Sequence, residues 1–142
     1  MAARPTKRFE ILDHTADAIL RAHGRGLGDL FENAALGMFS IVGEPGNAAP
    51  AVEREVSVSA EDRESLLVAW LSELLFLFET TEIFFGEFEC RVADNAVRAV
   101  VRGERFDPVR HGFKTEIKAV TRHRLSVARQ GGRWVATVLF DL

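Results

Sequence analysis

The fold is decided by residues 66–78, which read LLVAWLSELLFLF. As a helix this stretch is apolar almost all round, because Ser72 and Glu73 are its only polar residues. A helix of this kind is typical of the buried helix in a globular domain. We therefore predict a buried helix from Arg63 to Glu79, with Ser59 in the position of its N-cap.

The elements on either side of this helix follow from hydrophobic periodicity. Apolar residues recur at intervals of three and four over residues 27–42, which predicts a second, amphipathic helix that ends at Gly43. Shorter apolar segments predict strands over residues 8–12, 18–23, 52–58, 84–92, 96–104, 116–129 and 133–140. The resulting order ββαβαββββ predicts an α+β domain in which two helices pack on mostly antiparallel β-sheet.

Length and composition narrow the class of protein. The 142 residues are most simply one domain over residues 1–142. Cys90 is the only cysteine, so no internal disulfide is possible, which suits a reducing cytosol. The sequence offers no secretory signal at its start and no apolar run near the ~20 residues of a membrane span. We therefore expect a cytoplasmic protein.

The charge is unevenly distributed along the chain. The net charge of −3 and the pI of about 5.8 argue against a dedicated nucleic-acid-binding domain, whose pI usually exceeds ~9. Residues 1–97 carry eight Lys and Arg against 17 Asp and Glu, whereas residues 98–133 carry ten against three. This pattern indicates either a basic face on an acidic body or simply solvent-facing strand positions that use Arg.

The end of the chain suggests a cation site. Apolar residues alternate from Trp134 to Phe140, so we expect the last strand to be fixed in the sheet. That would place the Asp141 side chain beside the α-carboxylate of Leu142. If the strand that begins at Asp17 lies next to it, three carboxylates converge, and their repulsion requires a proton or a cation among them. Ligands that are all oxygen favour Ca²⁺ or Mg²⁺ over zinc.

Two further stretches are rich in polar groups. Residues 13–17, DHTAD, lie between two predicted strands and are either part of a site or a turn whose side chains bond the local backbone. Residues 111–123 include Lys118, which could neutralise a carboxylate cluster or contact a phosphate, or could belong to a surface ladder with Glu116. His111 and His123 are candidates for acid–base chemistry, and a structural role is the alternative for each.

Five segments, taken together and in order, resemble the archease family over nearly the whole chain. They are residues 13–17 (DHTAD), 30–35 (LFENAA), 70–76 (WLSELLF), 114–121 (KTEIKAVT) and the terminal Asp141-Leu142. The sequence departs from the family at Arg122, because archeases usually have a tyrosine before the histidine that corresponds to His123.

The resemblance implies an accessory protein rather than an enzyme, with no catalytic residue of its own. Archeases act with the RtcB-type RNA ligase that seals tRNA halves in splicing and other broken RNA ends. They promote guanylylation of the ligase's active-site histidine from GTP, and so restore the ligase for further turnovers. The resemblance therefore implies the ligase as partner, GTP only within the ligase complex, and neither stable direct RNA binding nor membrane association.

The resemblance also implies roles for single residues. The family's metal site corresponds to Asp17, Asp141 and the carboxylate of Leu142, with Ca²⁺ expected in isolation and Mg²⁺ or Mn²⁺ as alternatives. The family's functionally important lysine corresponds to Lys118. The residues expected to face the partner are Lys118, Asp13, His14, Glu116 and His123.

Two alternatives remain at this point. The same carboxylates could serve a metal-dependent phosphoester hydrolase, with His14 or His123 as its base. The chain could instead be a chaperone or a modulator of a tRNA methyltransferase, a role that the resemblance also implies.

Overall fold

A computed structural model of the chain describes residues 7–12 and 16–142. Its elements are β1 (Phe9–Ile11), β2 (Asp17–Gly24), α1 (Leu27–Val42), a short 3₁₀ helix (Pro45–Asn47), β3 (Val52–Ser59), α2 (Arg63–Thr81), β4 (Ile83–Ala93), β5 (Ala96–Arg105), β6 (Ala119–Gln130) and β7 (Arg133–Asp141). The order of helices and strands is the predicted one, and the predicted α+β class is confirmed.

The strands form two sheets rather than one. The first has the order β1-β2-β7-β6 and the second has the order β3-β5-β4, and all of their pairings are antiparallel. Both helices contact strands of both sheets, so the core lies between the sheets and around the helices. Its largest fully buried side chains include Trp70, Phe31, Phe39, Phe84 and Phe140.

The more deeply buried helix is α1, which corrects the expectation for α2. Ten of the 16 residues of α1 are buried, against six of the 19 residues of α2. The solvent side of α2 carries Arg63, Glu73, Glu79 and Thr80 together with Phe76, whose side chain is 59% exposed. No helix in residues 7–12 and 16–142 is both long and apolar enough to cross a lipid bilayer.

Polar contacts fix α1 to its neighbours within this apolar core. The indole Nε1–H of Trp70 in α2 donates a hydrogen bond to the backbone oxygen of Phe31, at 3.0 Å. The carboxylate of Glu32 accepts the backbone N–H of Cys90 in β4, at 2.8 Å. Burial raises the pKa of the Glu32 carboxyl despite this bond. The residue types at these positions are therefore explained by packing and by backbone hydrogen bonding.

Helix α2 begins at Arg63, as predicted, but its N-cap is not the predicted residue. The N-cap is Asp62, whose carboxylate accepts the backbone N–H of Ser65 at 2.7 Å. Ser59 is instead the last residue of β3, where it is paired with Ala96 of β5. The prediction failed because both residues are good N-cap types, and strand pairing decides between them.

Strand β6 is shorter and less regular than predicted. Residues 116–118 precede the strand, so Glu116 and Lys118 do not lie in the strand that was predicted over residues 116–129. The β6–β7 register then shifts between Thr121 and Ser126, which pair with Leu139 and Thr137. Four residues, 122–125, thus lie opposite one residue of β7, and we call them the bulge segment. The bulge also interrupts the regular pairing expected for a strand over residues 116–129.

Gly103 provides a test of the second sheet. A Cβ atom at Gly103 would overlap the backbone oxygen of Phe84, next to the irregularity in the β4–β5 pairing. We expect Gly103→Ala to lower the free energy of unfolding in urea by about 1–3 kcal/mol, since the strands must move apart. At Gly46 a Cβ would meet nothing within 4 Å, so Gly46→Ala should change stability by less than about 0.5 kcal/mol. Equal effects of the two variants would contradict this packing.

Candidate carboxylate site

Two carboxylates lie directly opposite each other where the first sheet ends. Asp17 opens β2 and is paired with Asp141, the last residue of β7. Their neighbours Ala18 and Phe140 are fully buried, so Asp17 and Asp141 project from the other face of the sheet, away from the helices. Directly opposite residues have Cβ atoms about 4.5–5.5 Å apart. We call these two residues the carboxylate pair.

The end of the chain is held against β2, as predicted. The backbone N–H of Leu142 donates to the oxygen of Ala16 at 3.0 Å, which extends the β2–β7 pairing by one further bond. The predicted adjacency of the last strand to the strand that begins at Asp17 is thereby confirmed. The role of these residues in holding a metal stays a prediction.

The segment that carries Lys118 joins the same end of the sheet. The backbone N–H of Lys118 donates to the oxygen of Asp141 at 2.7 Å, and Ala119 is paired with Asp141. The side chain of Lys118 is exposed, and its ammonium makes no ion pair with any residue that the structure describes. Three chain segments therefore meet at the carboxylate pair.

Within the described residues, no positive side chain offsets the negative charge of the carboxylate pair. Within residues 7–12 and 16–142, no basic side chain forms an ion pair with Asp17, Asp141 or the carboxylate of Leu142. Like charges directly opposite each other on a sheet are destabilising. In the same residues, no group of three or more His, Cys, Asp and Glu side chains is arranged to hold a metal. A cation here would thus depend on two side chains and the terminal carboxylate.

The structure does not bring all predicted site residues together. Asp13 and His14 lie outside the described residues. Glu116 is exposed and borders a groove of about 220 Å³ that is lined by neither Asp17 nor Asp141. His123 lies in the bulge segment, where its backbone N–H donates to Thr121 Oγ1 at 3.3 Å and its ring is exposed.

His111 has a structural role. This decides between the two roles that the sequence left open for it, acid–base chemistry and packing. Its ring is fully buried between Phe84 and Phe106, with ring centroids 5.0 and 5.7 Å away. Nδ1 accepts the backbone N–H of Asp107 at 2.9 Å. Nε2 therefore carries the proton and donates it to Glu104 at 3.0 Å. Both ring nitrogens are hydrogen-bonded within the protein and the ring is fully buried, so the ring does not face a substrate.

The partner of His111 is held as a carboxylate. Hydrogen bonds from the backbone N–H of Ala49 and from His111 lower the pKa of Glu104. The loop is also tied to α1, because Glu44 N–H donates to the His111 oxygen at 2.6 Å and Lys114 N–H donates to the Val42 oxygen at 2.8 Å. This network fixes the start of the segment that leads to Lys118.

A cleft beside the last residue was not predicted from the sequence. It has a volume of about 570 Å³ and is lined by Ile11, Ala16, Ser40, Ile41, Lys114, Thr115 and Leu142. The ammonium of Lys114 is bound to Glu44 at 3.0 Å and to the Ser40 oxygen at 3.2 Å. The only signal in the sequence was the general polarity of residues 111–123.

The two histidines of this region make a matched test. His111→Ala removes a buried ring, leaves the N–H of Asp107 without its partner and deprives the Glu104 carboxylate of one of its hydrogen bonds. We expect the free energy of unfolding to fall by about 2–4 kcal/mol. His123→Ala, at an exposed ring, should change it by less than about 0.5 kcal/mol. Urea unfolding at neutral pH measures both values, and a small effect at His111 would contradict its structural role.

Comparisons with known proteins agree with this architecture. Residues 9–142 match the model of the Archease protein family (MTH1598/TM1083). The archease of Methanosarcina acetivorans is 44% identical over 141 residues, which are 96% of this chain and 97% of that protein. The archease of Methanosarcina mazei is 41% identical with the same coverage.

Solved structures show the same fold. The solution structure of Methanobacterium thermoautotrophicum protein 1598 has a TM-score of 0.81 and 37% identity, and the match covers 96% of this chain and 100% of that one. The crystal structure of an archease, possible chaperone, from Thermotoga maritima has a TM-score of 0.67 and 21% identity, with coverage of 100% and 98%. Because the family model and the full-length relatives agree, this chain belongs to the archease family.

Proposed function

We propose that this chain is an accessory protein that activates an RtcB-type RNA ligase in tRNA splicing and RNA repair. It acts in the cytoplasm, promotes guanylylation of the ligase's histidine from GTP, and so sustains multiple turnover. The proposal combines family membership with the role that the resemblance implies. The observation that carries it is the placement of Asp17 directly opposite Asp141 at an exposed end of the sheet.

The donor set fits a hard divalent cation. Asp17, Asp141 and the α-carboxylate of Leu142 offer only oxygen atoms, which Ca²⁺ and Mg²⁺ prefer. The backbone bonds of Leu142 and Lys118 hold the end of the chain in place, so binding would not require a loose terminus to become ordered. A cation of this kind, when bound, supplies positive charge that offsets the charge of nucleotide phosphates.

The residues of the chain itself have three tasks in this proposal. The carboxylate pair binds the cation and relieves its own repulsion by doing so. Lys118, whose ammonium is exposed and makes no ion pair with a described residue, faces the ligase and screens GTP phosphate charge, which guanylyl transfer requires. Glu116 and His123 contribute to the partner-facing surface together with Asp13 and His14.

A chaperone role is the second candidate, and one observation favours it. The Thermotoga maritima archease is described as a possible chaperone. Under this alternative, the chain stabilises a partner such as a tRNA methyltransferase. Substitution of the carboxylate pair would then leave that activity intact.

The cation hypothesis predicts that Asp141→Asn has opposite effects on stability, relative to the wild type, in the absence and in the presence of metal. Without metal, Asp141→Asn should be as stable as the wild type or more stable by up to about 1 kcal/mol, because a like-charge pair is removed. Ca²⁺ at one hundred times its Kd should stabilise the wild type by about 2.7 kcal/mol, whereas Asp141→Asn should show at least tenfold weaker binding. Thermal unfolding with and without Ca²⁺ measures both effects.

The control is Glu55→Gln, an exposed carboxylate in the second sheet, which should respond to Ca²⁺ as the wild type does. Identical responses of Asp141→Asn and the wild type would contradict the assignment of the site.

The ligase hypothesis is tested by multiple-turnover RNA ligation with a purified RtcB-type ligase and GTP. The wild-type chain should increase the number of turnovers, and Asp17→Asn or one glycine added after Leu142 should abolish the increase. The same glycine added before Met1 should have no effect. An unchanged turnover number in the presence of the wild-type chain would remove the hypothesis.

A further inference from the structure

A small groove lies between helix α2 and the segment of residues 113–117 that leads to Lys118. Its volume is about 220 Å³, and we call it the α2 groove. Its apolar lining is formed by Val42, Leu75, Phe78, Phe113 and Ile117. Sites for small molecules usually have a volume of ~300–1,000 Å³. The α2 groove is therefore sized for a single side chain rather than for a whole ligand.

One aromatic residue of the groove is left half uncovered. Phe113 is 51% exposed, although its ring contacts Phe106 edge-on with the ring centroids 6.0 Å apart. Phe76, which is 59% exposed, lies one turn before Glu79 on α2. Single exposed apolar residues are normal on a protein surface, whereas contiguous apolar surface with a polar rim marks an interaction site. The α2 groove has such a lining and such a rim.

The charged part of the rim is acidic. Glu79 on α2 and Glu116 on the facing segment both line the groove and are exposed. Neither carboxylate forms an ion pair or a hydrogen bond with a described residue. The ammonium of Lys114 is bound elsewhere, to Glu44 at 3.0 Å, and Lys118 forms no ion pair with Glu116. Two acidic side chains thus border the apolar surface without a basic partner from the part of the chain that the structure describes.

The wall opposite α2 is fixed by the rest of the protein. The backbone N–H of Lys114 donates to the Val42 oxygen at 2.8 Å, and that of Lys118 donates to the Asp141 oxygen at 2.7 Å. Between these two bonds, Ile117 is buried and only 1% exposed. An occupant of the groove would therefore not have to order this segment, which lowers the cost of binding.

We propose that the α2 groove binds a short segment of a protein partner. An apolar side chain of that segment fills the groove, and Lys or Arg side chains beside it pair with Glu79 and Glu116. Nucleic acids and anionic lipid surfaces do not fit, because their phosphate groups would be repelled by the two carboxylates. An apolar anchor next to basic residues satisfies both the lining and the rim.

The groove is connected to the carboxylate pair by the segment that forms its wall. The same segment ends at Lys118, whose backbone is bonded to Asp141. A partner held in the groove is thereby placed beside Lys118 and the carboxylate pair. That this partner is the ligase rests on the proposed function, whereas the chemistry of the occupant does not. In this arrangement the groove supplies affinity, and the carboxylate pair acts on the turnover of the bound ligase.

The first experiment tests the groove without the ligase. The ¹⁵N-labelled full chain is titrated with a nine-residue peptide that has a central Leu, an Arg on each side of it and Gly or Ser elsewhere. We expect the chemical-shift changes to centre on the residues that line the groove. Replacing the Leu by Ser should weaken binding about tenfold or more. Replacing both Arg by Glu should also weaken it, because the rim then repels the peptide.

The test variant is Glu79→Gln/Glu116→Gln, which should bind the Arg–Leu–Arg peptide about fivefold more weakly, since two exposed ion pairs are lost. The matched control is Glu73→Gln/Glu55→Gln, which changes the net charge equally. Glu73 and Glu55 are exposed, lie outside the groove and form no ion pair with a described residue. The control should bind the peptide as the wild type does, and both variants should unfold at the temperature of the wild type.

The second experiment identifies the partner by multiple-turnover ligation with a purified RtcB-type ligase. Glu79→Gln/Glu116→Gln should activate less at low concentration and reach the wild-type number of turnovers at high concentration, because only affinity is lost. Asp17→Asn should fail to activate at any concentration. If the wild type binds the peptide but does not activate the ligase, the proposed function fails and the groove remains a site for another partner.

Three results would overturn the groove proposal. The first is that the peptide leaves the shifts of the groove residues unchanged. The second is that the Ser peptide or the Glu73/Glu55 control gives the same affinity as the corresponding Leu peptide or Glu79/Glu116 variant. The third is self-association of the wild type that Glu79→Gln/Glu116→Gln abolishes, which would make a second copy of the chain the occupant.

Discussion

The pairing of β2 with β7 is the constraint on which the rest of the structure depends. It runs without interruption from Asp17 opposite Asp141 to Gly24 opposite Trp134. Because side chains alternate along a strand, this single register decides which residues of both strands enter the core. The register that buries Ala18 opposite Phe140 also places the two carboxylates together. A slip of one residue would bury charge and expose the core, so packing stabilises a pairing that electrostatics opposes.

Helix α1 joins the two sheets through contacts that account for the LFENAA segment. The Glu32 carboxylate binds the N–H of Cys90 in β4, an edge strand of the second sheet whose free backbone groups otherwise invite non-native pairing. Asn33 Nδ2 donates to the His23 oxygen at the end of β2. A Cβ at Gly28 would approach the Cys90 oxygen to 2.8 Å, so the helix lies close to this strand. The residues of this segment therefore hold the fold together and have no need of a chemical role.

Local sequence patterns predicted most of the helices and strands, but they could not predict which strands distant in sequence pair with each other. The helix of residues 27–42 and the strands on either side of Gly131 followed from hydrophobic periodicity, which involves only neighbouring residues. The division into two sheets depends on which strands pair with each other. Apolar and polar residues alternate along a strand in the same way whatever its partner, so this alternation does not reveal the pairing. The adjacency of Asp17 and Asp141 could be inferred only from the ordered end of the chain. The bulge left no signal, because Arg124 adopts a positive φ without the glycine or asparagine that usually marks one.

The distribution of charge separates the parts that maintain the fold from those available to ligands. In the second sheet, Arg102 binds Glu53 at 2.9 Å and Glu89 at 2.8 Å, so charges there neutralise each other. At the end of the first sheet, Asp17 and Asp141 lie directly opposite each other, and no basic side chain of the described residues forms an ion pair with either of them. The register that buries Ala18 opposite Phe140 therefore holds two like charges together. Because the core fixes this register, the two carboxylates cannot separate, and a bound cation is the ligand that would relieve their repulsion.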